Sequence, residues 1–366
     1  MKFQELSYCS FRGRPGSCSR FPGAARLSNG RLVVLYDDGK DSFSAEHDMR
    51  IAFSTDSGRS WQDGGVMYDS SALGLAHRFT DSCKPTAIDN DELVSVGYGF
   101  IRENPEEGLE EYALKHGGFP ESHNTFSFSG DGGKTWKVPS FIGHRFETAL
   151  ELSGPALWCA EEKVLLVFGP PFVLKGHRQQ GVVLGSRDRG KTWEQYGTFF
   201  DSPSVAPWEV RSLREKSGRI WLVIWAYDFE KQAHLCNQLV YSDDLGRTWS
   251  PPLSTGIRGQ AANLFIAEGK KHILYTVREG ENTGIYCAEF SLESDNALSV
   301  GKSVALWSAS GMAGAQGERI EKQFRALKFG QPSMTCLGGN EYLLLYWSCE
   351  ADGYAIRARV LEVSAS

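Results

Sequence analysis

The sequence predicts an all-β chain: a six-bladed β-propeller of four-stranded antiparallel blades. Three observations carry this prediction. A short turn motif recurs four times, a looser motif of small residues recurs six times, and compact strand-like runs fill the intervals. No long segment has a helical period.

The turn motif reads S-x-D-x-G-x-[ST]-W. Its copies run from Ser54 to Trp61, Ser129 to Trp136, Ser186 to Trp193 and Ser242 to Trp249. In such a turn the Asp can accept backbone N–H groups, the Gly can take a positive φ, and the Trp can pack between neighbouring sheets. The motif Asp residues lie 75, 57 and 56 positions apart, which suits four-stranded blades with variable loops better than a short solenoid repeat.

Between the turns, Arg31–Tyr36, Lys163–Phe168, Arg219–Trp225, His272–Val277 and Glu341–Trp347 are apolar, β-branched or aromatic runs with the length of strands. The looser motif precedes such strands at 19–27, 82–88, 152–157, 208–213, 258–264 and 329–334. Six copies give six blades, and the small residues and Pro at these starts suit innermost strands crowded at the propeller axis. Blade five lacks the turn motif between Ser291 and Trp307. Blade six is expected to close on the N-terminal strand Lys2–Phe11, which would leave no open sheet edge. The whole chain, 1–366, reads as one propeller domain. Blade two carries a long insertion, 100–124, with Glu106, Glu107, Glu110 and Glu111 followed by His116 to Glu121. Loops of this length are usually functional or disordered, and a lid over the axis is the functional expectation.

Composition narrows the partners. The 39 basic and 45 acidic residues give a net charge of -6 without a basic run, which argues against nucleic acid. No stretch reaches the length of a membrane-spanning helix, and residues 1–30 lack the apolar centre of a secretory signal. A cytoplasmic location is therefore expected, with no membrane partner. The eight cysteines are scattered without metal-ligand spacing, so free thiols and no metal or organic cofactor are expected.

At the four turn motifs the chain resembles the sialidase superfamily, the Asp-box or BNR-repeat propellers, over nearly its whole length. That resemblance implies a sugar site at the centre of one face, with the boxes on the rim away from it. Family sialidases hold the substrate carboxylate with three arginines, use a Tyr nucleophile activated by a Glu, and use an Asp as acid/base. Planar guanidinium forks suit a carboxylate, and sialidases are the Tyr exception among two-carboxylate glycosidases. Carried over by position, Arg20 matches the first arginine and Arg278 the last. Asp41 matches the acid/base, in competition with Asp38, Glu46 and Asp48, and Glu209 matches the Glu partnering the Tyr. Lys84 offers a further cation at the axis, and Trp208, Trp225 and Tyr227 offer faces for a sugar.

Two positions depart from the family. No arginine follows Glu209 on the next strands of blade four, and Gln331 stands where the family has its Tyr. Tyr98, Tyr227 and Tyr346 are the tyrosines that could replace it. The resemblance thus implies an exo-glycosidase for an anionic terminal sugar, sialic acid or uronate-like, with a rebuilt catalytic set in which Asp41 and Glu209 could act as a carboxylate pair. Two alternatives stay open. One is a propeller that binds carbohydrate or protein without catalysis; the other is a polysaccharide lyase drawing on Lys84, Arg20 and His77 or His123.

Overall fold

The computed structural model describes residues 1–40, 45–294, 296–309, 311–312 and 326–364. Among these the strands form six antiparallel sheets. Blade 1 runs Cys18–Arg26, Leu32–Gly39, His47–Ser54 and Gln62–Val66. Blade 2 runs Arg78–Ala87, Leu93–Arg102, Ser122–Ser129 and Ser140–Phe141. Blade 3 begins with the short Leu157–Cys159 and continues through Val164–Gly169, Gln179–Ser186 and Glu194–Ser202. Blades 4 and 5 each carry a fifth strand, Ala233–His234 and Val304–Ser308, beside the usual four. Blade 6 takes Phe329–Gly338, Glu341–Glu350 and Gly353–Ser364 and then Lys2–Phe11, whose register runs from Lys2 against Ser364 to Phe11 against Ile356. The expected closure is therefore present with the expected strand.

The second strand of each blade explains why the sheets stack. Leu32–Gly39 and Ile220–Asp228 are buried along their whole length. A strand covered on both faces needs a continuous apolar run rather than alternation, and these runs supply it. Six apolar clusters then sit in the six seams between neighbouring blades. One joins Leu32, Val34 and Tyr36 of blade 1 to Leu343, Leu345 and Trp347 of blade 6, which completes the circle. The motif tryptophans lie in these seams, each against the preceding blade: Trp61 in the 6/1 seam, Trp136 in 1/2, Trp193 in 2/3 and Trp249 in 3/4.

The turns themselves are built alike. In the third copy, Ser186 Oγ donates to Asp188 Oδ1 at 2.8 Å and accepts from Gly190 N at 2.8 Å. The Thr192 amide and hydroxyl bind the two Asp188 oxygens at 2.9 and 2.6 Å. Gly190 has φ +88°, and a Cβ there would meet the Phe126 ring at 2.2 Å, so both conformation and contact demand glycine.

First strands of successive blades touch one another all the way round, so they surround the axis. Four of them share a bulge that the sequence pattern does not announce. Between Arg20 and Gly23, Trp208 and Arg211, Gln260 and Asn263, and Gly330 and Ser333, the register slips by one residue. At each bulge one non-glycine residue takes a positive φ: Phe21 (51°), Glu209 (45°), Ala261 (47°) and Gln331 (47°). Such backbone costs about 1–3 kcal/mol per residue and gathers at functional sites, where a bulge re-aims a side chain.

The insertion of blade 2 is not wholly irregular. It contains a helix, Leu109–His116, ended by Gly117 in the left-handed conformation. An eight-residue helix is too short to show a periodic signal, which is why the sequence reading missed it. No helix among the described residues is long and apolar enough to cross a membrane. No disulfide joins the cysteines among the described residues, and Cys18, Cys83, Cys159 and Cys287 are buried.

Candidate functional site

A cavity of about 740 Å³ opens at the axis. Blades 1 to 4 furnish its charged floor with Arg20, Asp37, Asp81, Glu151 and Glu209. Tyr98, Trp208 and Tyr227 also face it, and the insertion helix contributes Leu109, Ala113 and Leu114 to its wall.

Of the residues singled out in the sequence, Arg20, Tyr98, Trp208, Glu209, Trp225 and Tyr227 line the cavity. Glu209 sits on the blade 4 bulge. Its Oε1 accepts from Gln331 Nε2 at 3.1 Å, which joins the bulges of blades 4 and 6 across the small Ala261 of blade 5 in ring order. Its Oε2 lies 3.9 Å from Arg211 Nη2 and accepts no hydrogen bond among the described residues. Trp208 and Tyr227 stack on each other with ring centroids 4.8 Å apart.

Arg278, Lys84 and Gln331 are placed just behind the lining. Arg278 is 4% exposed. Its Nη1 donates to Gln260 Oε1 and its Nε to the Phe329 carbonyl, both at 2.8 Å, so it forms no rim pair with Glu279 or Glu281 and its charge faces Glu209. Burial lowers the Arg278 guanidinium to about 10 against the opposing pull of Glu209. Lys84 is buried beside Ser82 and the Cys83 carbonyl, and desolvation lowers its ammonium while Asp37 opposes that. The glycines of the inner strands gain a second meaning here. A Cβ at Gly330 would lie 1.9 Å from Arg278 Nη2, and one at Gly23 would lie 2.5 Å from Lys84 Cδ. These positions are small to admit buried cations, beyond the crowding of strands that the sequence suggested.

Asp41 lies outside the described residues. Its competitors are accounted for elsewhere. Asp38 is fully buried and ties down residues 13–19 through Ser17, Ser19, Gly13 and Arg14. Asp48 pairs with Arg78 at 2.5 Å, and Glu46 is exposed. Blade 1 instead delivers Asp37, the register partner of Arg20. Tyr346 is buried in the 5/6 seam and accepts from Arg359 Nε at 2.9 Å, so it is removed from the cavity. His77 and His123 do not line it either.

Three carboxyls that the sequence reading passed over complete the floor, and burial is the leading cause of each shift. Glu151 is pushed up to about 8 by desolvation and then by the charge of Glu209, although the Glu209 amide donates to its Oε2 at 3.4 Å. Asp81 is raised to about 7, with Thr125 Oγ1 donating to it at 3.0 Å. Asp37 is raised to about 6 despite Lys84 and Arg20 nearby. Tyr98 is held well above the ordinary phenol range by burial and by Glu151 and Glu209, so it is a neutral hydrogen-bond donor. Arg211, on the same strand as Glu209, is also new. It is buried, and its Nη1 donates to Ser153 Oγ at 2.5 Å. Clusters of carboxyls with raised pKa in a cleft mark functional sites. The available signal was a Glu or Asp at the end of an apolar inner run, as in Leu150-Glu151-Leu152 and Tyr36-Asp37.

No protein-family model matches this sequence, and no curated protein does. Solved structures do. A Dyadobacter fermentans protein of unknown function aligns over 99% of both chains with a TM-score of 0.75 at 16% identity. The Hadza microbial sialidase Hz136 aligns over 94% of this chain with a TM-score of 0.67 at 16% identity; the match spans 66% of that chain, just under two thirds. The alpha-L-arabinanase of Penicillium chrysogenum, solved with arabinobiose, aligns over 98% of both chains with a TM-score of 0.60 at 13% identity. At these identities the likeness is one of fold, the six-bladed propeller.

Proposed function

We propose that this chain is a glycoside hydrolase that removes a terminal sugar bound in the axial cavity, with Glu151 as the proton donor and Glu209 as its anionic partner. One observation carries the reading: blades 3 and 4 bring two glutamates together at the cavity, Glu151 enclosed so that burial outweighs the pull of Arg211, and Glu209 facing both the buried Arg211 and Arg278. Paired carboxyls in unlike surroundings are how one site supplies both an acid and an anion near neutral pH. Sialidase and arabinanase neighbours of the same fold support a carbohydrate substrate.

In the reaction, Glu151 gives its proton to the glycosidic oxygen as the bond from that oxygen to the anomeric carbon breaks. Glu209 stabilises the positive charge that develops on the sugar, and water supplies the hydroxyl of the product and restores the proton. Trp208 offers a face to the ring. Arg20, the one cation among the sequence-selected residues that lines the cavity, is the group to hold an acidic substituent. Gln331 donates to Glu209 Oε1 where the family has its Tyr, and Tyr98 lines the cavity as a neutral phenol. The usual Tyr-nucleophile route is therefore not the one proposed.

The test is a panel of 4-methylumbelliferyl glycosides, sialosides, uronides and arabinosides included. Glu151→Gln and Glu209→Gln are each expected to lower kcat/KM about 100-fold or more, the usual cost of losing an acid/base or charge-stabilising group. The alkaline limb of the wild-type profile is expected near pH 8 and absent in Glu151→Gln. Release of sugar from none of the panel would leave a non-catalytic binder, equal rates in wild type and variants would overturn the roles given to Glu151 and Glu209, and a new double-bond absorbance would leave a lyase.

A further inference from the structure

The two glutamates occupy only the floor of the cavity. Above them the wall changes character. Leu109, Ala113, Leu114 and Phe119 come from the blade 2 insertion, and Phe172 and Val173 come from the loop after the second strand of blade 3. The rings form one cluster: Phe100, Phe119 and Phe172 lie 5.1 to 6.2 Å apart in tilted or edge contacts, and Tyr98 meets Phe172 at 5.1 Å. Leu114 remains 57% exposed at the edge of the opening.

Of the polar residues that line this region, two are engaged with loop carbonyls and two lie at the rim. Arg102 donates to the Glu107 carbonyl, and Gln179 donates to the His177 and Leu174 carbonyls, holding the loops in place. Lys175 and Gln232 are exposed at the rim. Glu107 is taken by Lys115 at 3.1 Å. A second sugar unit against this wall would bury hydroxyls opposite Leu, Val, Ala and Phe, which return no hydrogen bond. An apolar group would gain by covering the same surface.

Resting on the glycosidase reading, we propose that the upper wall is the leaving-group site for a hydrophobic alcohol, so that the substrate is a glycoside of an aryl, alkyl or polycyclic alcohol and not an oligosaccharide. The insertion is then the element that selects the aglycone, while the blades select the sugar.

Two aryl glycosides of whichever sugar the enzyme turns over test this, with phenols matched in acidity so that bond breaking is equally easy. One carries a short alkyl tail and the other a polyol tail. The apolar one is expected to have about tenfold higher kcat/KM, what two buried methylene groups supply, expressed mainly in KM. Leu114→Ser and Phe119→Ser are expected to bring the ratio toward one. Leu114 is exposed, so its substitution does not threaten folding. A wild-type ratio near one, or preference for the polyol or a disaccharide, would overturn the proposal.

Binding of free 2-naphthol, followed by tryptophan fluorescence, separates this idea from the one beneath it. If no glycoside is cleaved, the hydrolase reading fails. Saturable naphthol binding that Phe119→Ser and Leu114→Ser each weaken would still support an apolar site, and no saturable binding would overturn it.

Discussion

Carboxylates at the rim and at the axis of this ring live in opposite surroundings. At the rim, Asp188 is held down to about 2, chiefly by the Thr192 hydroxyl and amide, and its three counterparts shift the same way. At the axis, Glu151, Asp81 and Asp37 rise to about 8, 7 and 6 because burial outweighs the few donors offered. The backbones show the same division. Rim turns repeat both conformation and side chain, whereas the axial bulges repeat the conformation and carry Phe21, Glu209, Ala261 and Gln331. Repetition of side chains reports what the fold requires. Divergence on a repeated backbone reports what the site requires.

The comparison breaks most visibly if rim and axis can be damaged separately. Gly190→Ala forces a Cβ into the Phe126 ring at a positive φ, and we expect a loss of roughly 2–4 kcal/mol in stability. A urea melt reads that loss, while turnover per folded molecule should hold. At the axis, Gln331→Leu removes the donor to Glu209 Oε1. About a tenfold drop in kcat/KM is expected, the worth of one hydrogen bond to a charged group, with little change in melting.

The smallest effect sharpens the electrostatic contrast. A carboxyl raised above its unfolded value favours the fold at low pH, and that contribution is lost as pH rises through the folded pKa; a depressed one acts in the opposite direction. Asp81→Asn should therefore melt higher than wild type at pH 8, by about 1–3 °C for a chain of this size, and lose that advantage at pH 5. A gain at pH 5 that vanishes at pH 8 would reverse the assignment.

Much of the fold was legible because it rests on local chemistry. The four turns, the apolar second strands and the closing Lys2–Phe11 strand announce themselves in contiguous residues. The fifth strands Ala233–His234 and Val304–Ser308 are two and five residues long, attached by pairing alone, and gave no pattern to read. In blade 3 the predicted start at Leu152 shortens to Leu157–Cys159, with Leu150 bridging Pro171 instead. The site was legible only where one strand carries it, as for Arg20, Trp208 and Glu209. Glu151 has meaning only because a different blade sets Glu209 beside it, 58 positions away, and Asp37 falls just past the apolar run Arg31–Tyr36 although it lies within the buried strand Leu32–Gly39.

The pairing of Lys2 with Ser364 has a temporal side. A ribosome delivers the strand 2–11 long before its partner 353–364, so the sixth sheet cannot assemble until everything between has been made. Contacts of such long sequence separation form late and slowly. Until then the apolar faces of blades 1 and 5 stand open, and the nascent chain is a candidate for chaperone protection during that interval. A circular permutant joining 364 to 2 and opening at a rim turn would make that sheet a local hairpin, and should refold faster while keeping the same axis.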